Sequence, residues 1–161
     1  IGAGMPVGAY GGRREIMELV APLGPVYQAG TLSGNPVAMA AGYTQLSILK
    51  EHPEYYDALH KKADDFFGRM KEIVRETGAP CQVNHIASLG SLFFTPKPVT
   101  DYRSAKTSDT KAYAAYCNVM LEKGIYPAPA QFEAMFLSMA HTKEELEKTL
   151  EGIRSFFKFS A

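Results

Sequence analysis

The stretch Gly24-Pro25-Val26-Tyr27-Gln28-Ala29-Gly30-Thr31-Leu32-Ser33-Gly34-Asn35-Pro36 lies between two apolar segments that are expected to be helical. Its three glycines, two prolines and three short polar residues predict a loop with several special backbone angles. Asn35 is expected to cap a helix that Pro36 begins, because asparagine favours the N-cap and proline the first helical turn. Gly30 and Thr31 then offer backbone N–H groups and a hydroxyl close to a helix start, where a phosphate can bind. A plain connecting loop with a good N-cap is the alternative.

Length and charge limit the classes of function open to the chain. With 161 residues, 46% of them apolar, it can build one sizeable core, or one small domain and part of another. Its 17 basic and 17 acidic residues are well mixed, which argues against a nucleic-acid partner or an anionic membrane. No apolar run approaches the roughly 20 residues that span a bilayer. Because Ile1 is neither an initiator Met nor the start of a basic signal peptide, the chain is expected to be a fragment.

The cysteines and histidines do not have the spacing of a metal site. Cys81 and Cys117 are far apart in the sequence and belong to no CxxC or Cys/His pattern. The four histidines form no HxxxH or HxH pair. Two buried, reduced thiols in a cytoplasmic protein are therefore expected, and no metal.

Hydrophobic periodicity predicts most of the helices. The segment over 53–77 is amphipathic and should end at Gly78, since glycine commonly terminates helices. The segment over 37–49 has Ala38, Ala40 and Gly42 on one side, which predicts close packing and burial of much of this helix. Further helices are expected over 13–20 and 111–123, and after the capping box Thr142-Lys143-Glu144-Glu145.

The strands are predicted from alternating apolar residues and β-branched or aromatic content. Two extended pieces are expected within 1–12, and two strands are expected over 81–88 and 91–95, with a turn near Gly90. A loop is expected over 96–110, a short strand at Ile125-Tyr126 and a buried strand over 132–140. Strands that alternate with helices predict a small α+β domain over 51–161, with helices on one sheet face. Residues 1–50 are expected to be the tail of a larger domain.

Three motifs occur in the same order and with similar spacing in one family. They are the 24–36 loop, Met5-Pro6-Val7-Gly8-Ala9-Tyr10-Gly11-Gly12, and Gln131-Phe132-Glu133-Ala134 followed by Ala140-His141-Thr142. Over essentially its whole length the chain resembles the C-terminal part of the glutamate-1-semialdehyde 2,1-aminomutases, pyridoxal-phosphate enzymes of the class-III aminotransferase group. The resemblance implies an α/β and α+β fold, in which the tail of a fold-type-I large domain precedes a small C-terminal α+β domain.

The resemblance also implies an activity. Enzymes of that family convert glutamate-1-semialdehyde into 5-aminolevulinate, the tetrapyrrole (porphyrin) precursor, with pyridoxal or pyridoxamine 5'-phosphate as cofactor. They are homodimers with shared active sites, in the cytoplasm or the plastid stroma. Their Gly-Lys-x-Ile-Gly-Gly-Gly pattern, aligned on Ile1-Gly2-Ala3-Gly4, places the Schiff-base lysine two residues before Ile1. This segment alone is therefore expected to be inactive. The alternatives are another class-III aminotransferase and a catalytically inactive dimerisation or binding module.

The resemblance assigns roles to four residues. Gly30 and Thr31 should bind the cofactor phosphate across the dimer interface, and Tyr27 should lie near the active site or else pack as a loop aromatic. Glu133 is the only charged residue in the apolar run over 132–140, so it is expected to be either a buried ion-pair member or a substrate-facing carboxylate. The family has a glutamate here, at the edge of the active site. His141 is expected to form hydrogen bonds at a strand end.

Overall fold

A computed structural model describes residues 1–159, over which six helices and three short strands follow one another. In chain order they are α1 (Arg14–Met17), α2 (Pro36–Glu51), α3 (Glu54–Thr77), β1 (Gln82–Ile86), β2 (Leu89–Phe93), α4 (Tyr102–Ala105), α5 (Thr110–Glu122), β3 (Met135–Phe136) and α6 (Lys143–Phe159). The chain divides between Pro53 and Glu54 into two compact units. No helix within residues 1–159 has the length and apolar character needed to cross a membrane.

The start of the first unit contains less regular structure than predicted. Residues 1–12 hold a turn, in which Met5 N donates to Gly2 O at 2.9 Å, but no strand. The helix expected over 13–20 ends at Met17. It ends early because the following residues join an extended contact, in which Val26 N donates to Leu19 O at 2.9 Å.

The N-terminus of α2 is formed as predicted. Oδ1 of Asn35 accepts from the amides of Val37 and Ala38 at 3.0 and 3.2 Å, and Pro36 is the first helical residue. The expected burial is wrong within this chain, because the only α2 residues that are buried are Ala38 and Gly42. Gly42 lies against the N-terminal backbone, since a Cβ there would come within 3.0 Å of a carbonyl oxygen. The small residues therefore allow one close contact, while most of α2 stays exposed.

The second unit is an α+β structure around one apolar core, as predicted. Its antiparallel sheet has the order β1-β2-β3. Val83 and Leu92 pair across β1 and β2 and point into the core, whereas Asn84 and Ile86 on the other face are exposed. The helices contribute Phe66, Phe67, Met70, Ile73, Tyr113, Tyr116, Met120, Leu150, Ile153 and Phe157 to the same core.

The hairpin turn lies two residues before its predicted position. Ile86 pairs with Leu89, so the turn consists of Ala87 and Ser88, and Ala87 adopts a positive φ of 48°. Gly90 lies inside β2, where a Cβ would come within 2.3 Å of the Phe67 ring. The glycine is therefore required by a close approach of helix and strand, and not by a turn.

Three other predictions in the second unit are wrong. Ile125-Tyr126 forms no strand, and the loop expected over 96–110 contains the short helix α4 with a capping box between Asp101 and Ser104. The strand expected over 132–140 is reduced to β3, whose Phe136 is 69% exposed. Its early residues turn away from β2, because Glu133 N donates to Ala130 O at 3.1 Å and closes a turn.

Both cysteines are free and buried, as the sequence predicts. Burial raises the pKa of the Cys81 thiol to about 12 and also raises the pKa of Cys117. Neither thiol therefore carries the thiolate that reactive cysteines need at neutral pH.

Replacing Gly68 with alanine is expected to stabilise the protein. Gly68 lies inside α3, its φ is not positive, and a Cβ there would have no neighbour within 4 Å. Because glycine is poor in a helix interior, Gly68→Ala should raise the free energy of unfolding by about 0.5–1 kcal/mol. Urea unfolding measures this, and a lower midpoint for the variant would contradict the packing described here.

Acid is expected to destabilise the second unit through two carboxylates of α6. The capping-box bond from the Thr142 amide lowers the pKa of Glu145, and the hydrogen bond from Arg69 lowers that of Glu147. A carboxyl group whose pKa is lower in the folded state than in the unfolded state stabilises the fold. This stabilisation is present at pH values above the ordinary pKa of 4.5 and is lost as the pH falls through the folded-state pKa. At pH values below 4.5, the melting temperature should therefore decrease less steeply with pH in Glu147→Gln than in the unmutated protein. An unchanged pH dependence would contradict this account.

Candidate functional site

The 24–36 loop and the N-terminal glycine-rich motif meet in the first unit. They line one cavity of about 460 Å³, formed by Pro6, Val7, Gly8, Gly30, Leu32, Ser33, Gly34 and Met39. The lining residues Gly8 and Gly30 are 22 positions apart in the sequence. The fold therefore brings together two segments whose contact was not predicted from the sequence.

The loop keeps hydrogen-bond donors available beside this cavity. Ser33 N donates to Gly30 O at 2.9 Å and closes a turn, but within residues 1–159 the amides of Gly30 and Thr31 donate to no backbone carbonyl. Thr31 is exposed. Since Asn35 already caps the start of α2, the loop offers an anion the amides of Gly30 and Thr31 and the Thr31 hydroxyl.

Gly30 leaves little room for a side chain. A Cβ at this position would lie 2.8 Å from Oγ of Ser33, which is closer than non-bonded atoms normally approach. A side chain at residue 30 therefore requires the Ser33 hydroxyl to move, and because Gly30 lines the cavity it would also take up space beside the loop amides. Such bare backbone is what lets an anion approach amide groups closely.

Tyr27 lies in the same loop but does not pack within the described part of the chain. It is 85% exposed, so the interpretation as a packed loop aromatic is not what the structure shows. Its phenol is available to a group from outside the first unit.

Glu133 belongs to the second unit and is exposed. The expectation of a buried carboxylate is therefore wrong, because the 130–133 turn carries this residue away from the core. Glu133 lines an open cavity of about 620 Å³, together with Tyr126, Pro127, Ala128, Phe136, His141, Lys148 and others. The carboxylate can therefore accept hydrogen bonds from a cationic or hydroxyl-bearing ligand in that cavity.

A comparison with protein families decides which family this chain belongs to. The model of the family "Aminotransferase class-III" matches residues 1–157. The chain belongs to the class-III aminotransferases.

Several curated relatives of this aminotransferase chain have the same name. It is 64% identical over 158 residues to glutamate-1-semialdehyde 2,1-aminomutase 1 of Lachnoclostridium phytofermentans, covering 98% of this chain and 37% of the relative. It is 59% identical over 152 residues to the glutamate-1-semialdehyde 2,1-aminomutase of Ruminiclostridium cellulolyticum, covering 94% and 35%. The chain thus spans little more than a third of the length of these relatives.

Solved transaminases share the fold of this class-III aminotransferase chain. A β-phenylalanine aminotransferase from Variovorax paradoxus superimposes with a TM-score of 0.83 at 29% identity, covering 98% of this chain and 36% of the other. An ω-transaminase from Sphaerobacter thermophilus gives a TM-score of 0.77 at 27% identity, with the same two coverages. These similarities confirm the expected fold class, that of the fold-type-I enzymes.

Two polar residues of the aminotransferase chain hold the segment around Glu133 and were not predicted as site residues. Gln131 is 3% exposed and forms two hydrogen bonds with β2 and the residue after it. Lys62 belongs to the amphipathic helix α3, and its ammonium donates to the carbonyls of Met139 and His141 at 3.0 and 2.7 Å. Sequence patterns give no signal for either contact, because both join segments that are distant in the chain.

His141 forms hydrogen bonds, as predicted. Its Nδ1 accepts from the Ser138 amide at 3.0 Å, within the segment that leads from β3 into α6. The residue also lines the cavity of Glu133. Its bonding partners support a role in shaping the segment between β3 and α6.

Proposed function

We propose that this chain is part of a glutamate-1-semialdehyde 2,1-aminomutase. The longer protein would move the amino group between neighbouring carbons of glutamate-1-semialdehyde and release 5-aminolevulinate for tetrapyrrole synthesis. The observation that carries this proposal is the 64% identity to a relative of that name, which extends over 98% of the chain. The class-III aminotransferase fold is consistent with chemistry on amino groups.

The cofactor in this proposal is pyridoxal or pyridoxamine 5'-phosphate, and the 24–36 loop fits its phosphate. One of the solved structures similar to this chain, at 25% identity and a TM-score of 0.76, is a transaminase with PLP bound. The amides of Gly30 and Thr31 and the Thr31 hydroxyl would donate to the phosphate oxygens. When bound, the cofactor supplies an electron sink for bonds at the carbon that carries nitrogen.

Tyr27 and Glu133 would contact the substrate. The exposed phenol of Tyr27 can donate to a carboxylate, and the exposed carboxylate of Glu133 can accept from an ammonium group. Both chemistries match an amino acid derivative such as glutamate-1-semialdehyde. In this arrangement the two residues orient the substrate, and neither transfers the amino group itself.

We further propose that residues 1–50 belong to a large cofactor-binding domain and residues 51–161 to a small C-terminal domain. The protein would act as a homodimer in which the 24–36 loop of one subunit completes the partner's site. The exposure of Thr31, Tyr27 and most of α2 in this chain supports such a contact.

The test is a reaction with glutamate-1-semialdehyde as the only substrate. The longer protein, supplied with the cofactor, should form 5-aminolevulinate without any added amine donor or oxo acid. A second candidate is an aminotransferase that exchanges amino groups between two substrates, which the similarity to a β-phenylalanine aminotransferase favours. Product formation that requires a separate donor and acceptor would establish this second candidate and overturn the first.

A mixture of two impaired variants is expected to regain activity if sites are shared. Gly30→Val damages the phosphate loop, and Glu133→Gln damages the substrate contact. In a mixed dimer, one site would combine an intact Glu133 with the partner's intact loop, so a random mixture should regain about a quarter of wild-type activity.

The control for this mixing experiment uses two differently tagged preparations of Gly30→Val, which should regain nothing. The measurement is 5-aminolevulinate formation by the exchanged mixture, and purified mixed dimers, with one intact site of two, should have about half of wild-type activity. Mixed dimers with no more activity than the parent variants would show that Gly30 and Glu133 serve the same subunit's site.

A further inference from the structure

The edge of β2 is completed by a side chain where β3 ends. Within residues 1–159, β3 pairs with β2 at Leu89 and Gly90 alone, and no main chain of this part continues the ladder on that side toward Phe94. Gln131 fills the gap, since its Nε2 donates to Leu92 O at 2.8 Å and its Oε1 accepts from Phe94 N at 3.0 Å. One carboxamide thus satisfies a backbone acceptor and a backbone donor that would otherwise be left unpaired on a buried edge.

The same residue lies in the turn that carries Glu133. Glu133 N donates to Ala130 O at 3.1 Å, so Gln131 and Phe132 are the two central residues of a four-residue turn. Gln131 is almost fully buried, whereas Glu133 is exposed and lines the 620 Å³ cavity. Because the turn is short, any displacement of the Gln131 backbone also displaces the Glu133 side chain.

We propose that Gln131 is the positioning residue of this site. Its two hydrogen bonds fix the 130–133 turn against β2 and thereby aim the carboxylate of Glu133 into the cavity. This inference rests on the proposed function only for the identity of the ligand, because the geometry is independent of it. Gln131 touches no ligand itself and acts through Glu133.

The chemistry of residue 131 is restricted by this arrangement. Only a group that both donates and accepts can satisfy Leu92 O and Phe94 N together. Methionine has nearly the same shape but neither capability. An ionised glutamate accepts from Phe94 N but repels Leu92 O, whereas a protonated glutamate can form both bonds.

The first measurement is a double-mutant cycle on the longer enzyme, with kcat/KM for glutamate-1-semialdehyde as the readout. Gln131→Met should lower kcat/KM about 10- to 100-fold, since misplacement of a substrate contact by an ångström has effects of that size. In a Glu133→Gln background the same change should have little further effect, because the group that it positions is already lost. A purely structural role predicts equal losses in both backgrounds, and such additivity would overturn the proposal.

The second measurement is independent of activity. Hydrogen exchange at the Phe94 and Glu133 amides should accelerate in Gln131→Met relative to the unmutated protein. The matched control is Gln82→Met, whose Nε2 also donates to a backbone carbonyl, that of Pro96 at 3.2 Å, but on β1. The control should leave both amides and kcat/KM unchanged.

Rescue by pH provides the remaining test. Gln131→Glu should be impaired at pH 8, and its kcat/KM relative to the unmutated enzyme should rise as pH falls and the acid becomes protonated. A pH-independent ratio, or unchanged exchange at the Glu133 amide in Gln131→Met, would overturn the positioning role. If the unmutated enzyme forms no 5-aminolevulinate, the proposed function fails, while the exchange data still decide whether Gln131 fixes the turn.

Discussion

Replacing Gly30 with valine is expected to weaken the binding of pyridoxal phosphate to the longer protein about 100-fold, because two charge-assisted hydrogen bonds are lost. A Cβ at Gly30 would lie 2.8 Å from Oγ of Ser33, so valine must displace that hydroxyl, and its branched side chain would occupy space in the cavity that Gly30 lines. The amides of Gly30 and Thr31 would then no longer converge on one phosphate. Titration of the cofactor-free enzyme, followed through the cofactor's visible absorbance, measures the dissociation constant.

Gly11 offers the matched control for this experiment. A Cβ at Gly11 would have no neighbour within 4 Å, and the residue is not part of the cavity lining. Gly11→Ala should therefore bind the cofactor like the unmutated enzyme. If Gly30→Val and the unmutated enzyme bind the cofactor with equal affinity, the loop does not belong to the phosphate site.

Replacing Gly90 with alanine is expected to lower the free energy of unfolding by about 3 kcal/mol, the upper range for overpacking of a core. A Cβ there would lie 2.3 Å from two carbons of the Phe67 ring. That ring cannot easily move, since it is fully buried, packs edge-on against Phe66 and stacks on His85. Urea unfolding of the variant measures the loss.

A second substitution separates this clash from a general effect on β2. In a Phe67→Leu background the smaller side chain leaves room for the added methyl group, so Gly90→Ala should cost about 1 kcal/mol or less. Equal costs in the two backgrounds would show that the Phe67 contact is not the cause. Gly68→Ala, which adds the same methyl group without a clash, is expected to change stability in the opposite direction.

The long helices were predictable because their signals are local. Asn35 and Pro36 start α2, and the capping box of Thr142 and Glu145 starts α6, where the two residues exchange the expected hydrogen bonds. Gly78 follows α3 with a positive φ of 66°. Each of these signals depends on residues within one turn of the helix end, so the sequence alone contains it.

The strand errors have a common cause in contacts between distant segments. Gly90 resembles a turn residue in the sequence, yet the ring of Phe67 explains its presence. Apolar residues over 132–140 indicate a strand, yet the side chain of Gln131 replaces the main chain beside β2. Periodicity cannot show that a side chain will occupy a place in a ladder.

The candidate site was predictable only in part. The composition of the 24–36 loop indicated an anion site at Gly30 and Thr31, but not that residues 6–8 line the same cavity. Glu133 was singled out because its apolar neighbours suggested burial, and the structure shows it exposed. The roles of these residues toward the cofactor and the substrate remain predictions.

A crystal structure of the longer protein with pyridoxal phosphate bound tests the central claim most directly. The prediction is that Gly30 N, Thr31 N or Thr31 Oγ1 lies within hydrogen-bond distance of a phosphate oxygen, about 2.7–3.2 Å, in the site of the partner subunit. A phosphate held entirely by other residues, with the 24–36 loop remote from it, would contradict the account.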